Sequence, residues 1–430
     1  MQKTKFKKTE IGEIPENWEV IKLGDVCLKI GSGITPRGGE KVYKNSGTVL
    51  IRSQNVYNNQ FNKNGLVHID ESIAKKMENV TVEKNDVLLN ITGDSVARCC
   101  TVPEEILPAR VNQHVAIVRT DQQKVDLVFL KYYLTSPKMQ EIMLSLAQSG
   151  GTRNALTKGM IEKFIIPKPE RKEQSAIVDI LSDLDAQIEV LQQQNETLEA
   201  IGKTLFKHWF VDFEFPNEEG KSYKSSGGAM VDSELGEIPK GWEMKPLDTI
   251  AEFLNGLALQ KFPPTGDNDL PVIKIKELKN GVTDATDYAN RKIGKEYVLQ
   301  DGDILFSWSG SLEVAIWTGG EGALNQHLFK VSSKIYPKWL YYYWTIKHLE
   351  EFKAIASGKA TTMGHIQRRH LAEALTTIPD RATMDKISDS FNPILEAITK
   401  NAIRIRTLIS LRGSLLPKLM TGKIRVQVSA

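Results

Sequence analysis

The chain has 430 residues, a formal net charge of +3, 41% hydrophobic and 25% charged residues, and so the composition of an ordinary globular protein with room for two to four domains. No apolar run approaches the ~20 residues of a membrane span, and the Lys-rich stretch Met1–Glu10 has no apolar segment behind it, so neither a span nor a signal peptide is expected. Three cysteines, two of them adjacent at Cys99 and Cys100, leave no CxxC spacing; the reading is a reducing, cytoplasmic setting without disulfides or structural zinc.

Residues 19–130 alternate short β-rich runs (Thr48–Ile51, Val87–Ile91, Val115–Val118) with Gly, Asn and Pro turns, and Val128–Leu146 reads as helix. After Pro169 the texture changes. Ile177, Leu181, Leu184, Ile188, Leu191, Asn195, Leu198 and Leu205 fall at alternating spacings of four and three, with Gly202 in one seam position. That is a heptad seam on a helix of roughly 50–55 Å. Lys207–Pro216 ends it with a strongly aromatic stretch, and Glu218–Gly228 is a polar, Gly/Ser-rich linker.

Then the pattern returns. Ile11-Gly12-Glu13-Ile14-Pro15-Glu16-Asn17-Trp18-Glu19 recurs as Leu235-Gly236-Glu237-Ile238-Pro239-Lys240-Gly241-Trp242-Glu243. Asn85–Gly93 matches Gly302–Gly310, and Val111-Asn112-Gln113-His114-Val115 matches Leu324-Asn325-Gln326-His327-Leu328. A second seam follows at Ile387, Phe391, Ile394, Ile398, Asn401, Ile405, Leu408 and Leu415, with Arg412 in one seam position. The period is far too long for a solenoid, so this is a domain duplication. Each seam carries one Asn, the residue that sets register and partner at a cost in stability. A lone helix cannot bury such a stripe; the two are expected to pack on each other, antiparallel, with one globular head at each end. The alternative is that each packs on its own head.

Catalytic signatures are sparse. Gly202-Lys203-Thr204 ends like a P-loop, but position 197 is Thr and the segment lies inside the heptads. Asp269 with Glu277-Leu278-Lys279 loosely fits a metal-nuclease pattern, yet the first copy has Asn55 in place of Glu277. The Asn-Gln-His histidines lack further ligands at metal spacing. No methyltransferase [DNS]-Pro-Pro-[YF] motif occurs. The chain reads as a binder rather than a catalyst, with no metal and no cofactor of its own.

Polar and basic residues cluster where exposed surface is expected. In the first copy these are Thr35, Arg37, Arg52, Ser53, Gln54, Asn55, Arg98, Arg110, Asn112, Gln113, Thr152, Arg153 and Asn154. In the second they are Lys274, Lys276, Ser307, Ser309, Asn325, Gln326, Thr361, Thr362, His365, Arg368 and Arg369. Arg pairs bidentately with guanine, Asn and Gln with adenine, and Ser, Thr and Lys suit phosphates, so the mixture fits duplex DNA. Two heads about 50 Å apart would reach neighbouring turns of a duplex, whose repeat is ~34–36 Å.

The order and duplication of these blocks resembles the DNA specificity subunit of a type I restriction–modification system. The carriers are Leu235–Trp242 and its first copy, Asn-Gln-His in both halves, Leu205–Phe213 after the first seam, and Ser414–Ile424 after the second. The resemblance implies an α+β chain with pseudo-twofold character. Two similar mixed α/β target recognition domains (1–170 and 231–381) would be separated by two long helices (171–215 and 382–430) in an antiparallel coiled coil, with a linker at 216–230. It implies no activity of its own, and a bipartite, asymmetric duplex target. The implied partners are two modification subunits that use S-adenosylmethionine to methylate adenine N6, and two restriction/translocase subunits that use ATP and Mg2+. The competing readings are a stand-alone DNA-modifying enzyme and a coiled-coil module outside any restriction system. Lengthening the 172–205 helix by two heptads is expected to change the spacer tolerated between half-sites. Sequencing of methylated sites checks this, and an unaltered spacer rejects the helix as a ruler.

Overall fold

The computed structural model describes residues 4–149, 154–234, 236–358 and 364–426. The chain forms two compact units: residues 1–186 with 409–430, and residues 187–408. The first unit is discontinuous and the second is a single segment, and each takes part of both long helices.

The duplication holds strand by strand. In the first unit a four-stranded antiparallel sheet runs in the spatial order Cys27–Ser32, Val115–Thr120, Val87–Asn90, Cys99–Thr101. In the second unit the same order is Glu252–Asn255, Leu328–Ser332, Ile304–Ser307, Glu313–Ile316. A second, mixed sheet is likewise repeated. Val67–Ile69, Thr48–Ile51, Ala109–Val111 and Thr81–Val82 correspond to Tyr288–Ala289, Leu270–Ile273, Gly322–Leu324 and Val298–Leu299. In each copy one parallel pair sits between antiparallel neighbours.

The central strands are continuous apolar runs because both faces are buried. Val87, Leu89, Cys99, Ala116 and Val118 face the core shared with the helices, whereas Leu88, Cys100, Val115 and Ile117 face the core beneath the second sheet. Adjacent Cys99 and Cys100 therefore serve opposite faces of one strand. Burial pushes the Cys100 thiol up to about 12, and all three cysteines are free.

Each long helix is 40 residues, Arg171–Phe210 and Arg381–Met420, and within each unit their segments run antiparallel. In the second unit Asn401 Nδ2 donates to Asn195 Oδ1 (3.0 Å) and Asn195 Nδ2 donates to the Ile398 carbonyl (3.1 Å). The two seam asparagines thus meet, and a slipped register would leave their amides facing aliphatic neighbours. In the first unit Asp185 accepts from Arg412, and Glu173 accepts both ends of the Arg425 fork (2.7 and 3.0 Å).

The seam is corrected in detail. Leu395 is buried while Ile394 is only half-buried; Leu416 and Leu419 are buried while Leu415 is half-buried. Leu198 and Leu205 are half-buried beside fully buried Phe206 and Phe210. At these ends the helices meet a head as well as each other, so the buried face is wider than a two-helix seam. Gly202, the gap in the first seam, is where Tyr343 enters: a Cβ there would lie 1.9 Å from the Tyr343 hydroxyl. The stretch expected as linker is an ordered turn. Asn217 Oδ1 accepts from the backbone amides of Glu219 and Lys221, and Tyr223 stacks on Phe215 at 4.6 Å.

The repeated Gly-Glu-Ile-Pro and Trp blocks build a hairpin in each unit, Phe6–Thr9 with Gly12–Pro15 and Met230–Ser233 with Gly236–Pro239. Behind each hairpin a buried Trp anchors a long helix. Trp18 donates to Glu173 Oε2 (2.9 Å), and Trp242 packs among Phe210, Phe213 and Phe215.

Gly202→Ala is expected to destabilise the protein by about 1–3 kcal/mol through overpacking against Tyr343, whereas exposed Lys203→Ala stays within about 0.5 kcal/mol. Denaturant unfolding of both variants checks this. A pH effect follows from Lys131, which lies buried against Asp185 and over the Tyr132 ring. Burial pushes its amine down to about 8 from 10.5, against the pull of Asp185. Between those pH values the unfolded chain holds a proton that the folded chain has released, so stability rises with pH across the window and this contribution is flat below about 8. The cysteines, whose thiols burial pushes up, work in the opposite direction above about pH 9, so the Lys131 effect is read as a difference: between pH 7.5 and 10 the stability of the parent should gain on that of Lys131→Met in denaturant unfolding.

Candidate nucleic-acid interface

At the exposed edge where the two sheets of a head meet, one backbone arrangement occurs twice. The Asn-Gln-His turn leaves its strand with Asn112 N bonded to Ile51 O (3.0 Å) in the first head and Asn325 N to Ile273 O (3.3 Å) in the second. The Asn side chain closes the turn by accepting from the His amide, at 3.1 Å for His114 and 3.3 Å for His327. A glycine lies against the same turn in both copies. A Cβ on Gly33 would sit 1.7 Å from Val111 O, and one on Gly256 would sit 2.3 Å from Asn325 O. No side chain fits either approach, which explains a Gly in both loops although their downstream sequences differ.

Each histidine then meets a hydroxyl from the neighbouring strand end. His114 Nδ1 is 2.5 Å from Thr92 Oγ1, and His327 Nδ1 is 3.0 Å from Ser309 Oγ. In the first head the chain extends outward: Thr35 donates to Gln113, whose Nε2 lies 2.7 Å from His114 Nε2. With the amide donating there, His114 Nδ1 is left to donate to Thr92 Oγ1. In the second head Gln326 turns back and accepts from Asn325 Nδ2 (3.0 Å). Trp308 lies over this region, its Nε1 donating to Asn255 Oδ1 (2.9 Å).

The first head opens here into a polar cleft of about 880 Å³, with Ser53, Gln54, Arg98 and Asn154 on its walls. These are sequence candidates that the fold brings together. Tyr57, Thr92, Asp94, Ser95 and His114 also line it and were missed as contact candidates; matched hydroxyl–glycine pairs, Thr92-Gly93 and Ser309-Gly310, were the available signal. Asn90 holds one wall, donating to Ser53 O (2.9 Å). In the second head His365 bridges to Ser309 as Ala155 does to Thr92.

Other candidates are taken up by the fold. Asn55 is fully buried, accepting from Arg52 N (3.0 Å) and donating to Asn62 O (2.9 Å). Glu277 does the same work in the second copy, accepting from Lys274 N (3.2 Å). An amide and a carboxylate oxygen both satisfy that N–H, and the Glu277 carboxylate is buried in this cap while Asp269 caps its own turn at Thr265 and Gly266. Asn112, Asn325 and Ser307 are buried turn-formers, Ser307 donating to Ser311 O (2.9 Å), and Ser309 is buried against His327. Arg110 donates to Ala74 O and Ala109 O, and burial lowers its pKa. Arg52 is fixed by Gly65 O (2.6 Å) and the Tyr43 ring, Lys274 pairs with Asp287, and Arg368 reaches Phe253 O across the Phe329 ring. Arg37, Lys276 and Arg369 are exposed. Thr152, Arg153, Thr361 and Thr362 lie outside the described residues.

Residues 15–200 and 239–406 match the family described as "Type I restriction modification DNA specificity domain". The chain is similar to the type I restriction enzyme MjaIX specificity subunit of Methanocaldococcus jannaschii, with 29% identity over 99% of this chain and 97% of the relative. It is also similar to the HindI specificity subunit of Haemophilus influenzae, with 24% identity over 95% of this chain and the full length of that one. Among solved structures, the S subunit of a type I system from M. genitalium has the same fold, with a TM-score of 0.60 at 14% identity, covering 94% of this chain and 96% of that one. With both halves matched and the same architecture built twice, the chain belongs to the type I restriction–modification DNA specificity family.

Proposed function

We propose that this specificity subunit reads a bipartite, asymmetric duplex target, one short block with each head, and carries no chemistry itself. The observation that supports it is the repeated Gly–Asn-Gln-His–hydroxyl arrangement, which shares its main backbone connections and differs in the side chains around it. A common frame presenting unlike side chains is what two unlike half-sites require. The duplicated helix ends would offer two equivalent docking surfaces, and so bind two copies of one partner. Those partners would be two modification subunits, which bring S-adenosylmethionine and flip the adenine into their own pockets, and two restriction subunits that use ATP and Mg2+. The complex would work in the cytoplasm, where three free thiols stay reduced.

The test is duplex binding by the chain joined to its modification partner, together with sequencing of the methylated sites it leaves. Affinity should fall steeply and linearly with log salt as counterions are released, and methylation should mark one split motif with an unread spacer. The chain alone with S-adenosylmethionine should transfer no methyl group. A complex with no affinity for duplex, or methyl transfer by the chain alone, would overturn this function.

A further inference from the structure

We propose that Arg98 reads a guanine of the first half-site; this rests on the specificity reading above. Three observations point to it. Arg98 lines the polar cleft of the first head beside Thr92, His114 and Gln54. Its guanidinium lies 4.7 Å from the Tyr57 ring centroid, a shelf that holds the planar fork in place without using its N–H donors. Among the described residues it has no ion-pair partner, although Asp94 lines the same cleft. Arg52, Arg110, Arg119, Arg171, Arg412 and Arg425 all spend theirs on carbonyls or carboxylates within the fold. A bidentate fork with free donors matches the O6 and N7 acceptors that guanine presents in the major groove.

The second copy supplies an independent argument. Arg98 stands across the hairpin from Asn90, whose amide donates to its carbonyl (2.8 Å). Glu313 stands at the same place across from Ser307. Around this position the frame is kept: the His–hydroxyl pair, the Asn-Gln-His turn and the close glycine occur in both heads. The charge at this place is reversed, and Glu313 lies 3.7 Å from the Lys279 ammonium. A position that keeps its place across the hairpin while its charge reverses suits a residue that sets base identity. A donor fork selects guanine, while a carboxylate accepts from the exocyclic amine of cytosine.

The experiment uses the chain assembled with its modification partner, a duplex library randomised across the target, and S-adenosylmethionine, with methylated members sequenced. Arg98→Ala should relax one guanine position in one half-site by roughly 5–150-fold and leave the other half-site unchanged. Arg98→Gln should move that same position toward adenine, because a glutamine amide matches adenine N6 and N7; it also decides the case if the alanine variant folds poorly. Glu313→Ala should alter only the other half-site. Relaxation at a position that is not guanine, changes in both half-sites by Arg98→Gln, or a uniform loss across all sequences with a shallower salt dependence (a phosphate contact) would each overturn the assignment. A parent complex that methylates no split motif sinks the specificity reading itself, and this inference with it.

Discussion

An apolar stripe along 40 residues of helix cannot be left in water, and everything else in this chain is arranged around that constraint. Within each unit the stripe is covered by the other long helix and by that unit's sheets and short helices, where Phe206 and Phe210 in one and Leu416 and Leu419 in the other widen it. Once the helices are committed to each other, their register must be unique. The Asn195–Asn401 pair provides this in one unit and the Asp185–Arg412 pair in the other. Both are polar groups whose partners are available in a single alignment, and such groups define a state more than they stabilise it.

The heads hang on this pair through a few buried contacts, chiefly Trp18 with Glu173 and Trp242 with the aromatic end of the first helix. The central strands of their sheets are buried on both faces, which leaves the loop edge as a surface free to vary. Between the two copies the two demands separate residue by residue. Asn55 and Glu277 differ in sequence yet hold the same backbone amide, so their difference carries no message to a ligand. Thr92 and Ser309 keep one hydroxyl on one histidine nitrogen. Where the frame is constant and the chemistry changes, as at Arg98 and Glu313, the difference is available for recognition.

The duplication, the long helices and the family were legible in the sequence because hydrophobic period and repeated blocks are local signals. The seam asparagines were legible for the same reason. The candidate interface was legible only in part. Asn112, Asn325 and Asn55 have the right chemistry for reading bases, but polar side chains at the ends of strands are also what a turn needs to satisfy its amides, and here the turn takes them. Arg110 has a use within the fold that its sequence position does not announce, because its strand pairs within the second sheet and its side chain caps carbonyls there. Tyr57 and Thr92 were missed because their neighbourhood is assembled from segments far apart in sequence. Likewise, no periodicity shows that Gly202 makes room for Tyr343, since the two are distant along the chain.

The clamp of Arg425 on Glu173 joins residues 252 apart in sequence, and the unit it closes begins at the first residues and ends at the last described ones. The other unit is contiguous. On a ribosome, where domains ordinarily close from the N-terminus onward, the order is inverted: the unit made first has to wait for residues 409–426 to emerge, while the unit made second can close before them. Loop-closure entropy adds to that delay. A chain interrupted before residues 409–426 therefore carries one closed unit and one open one.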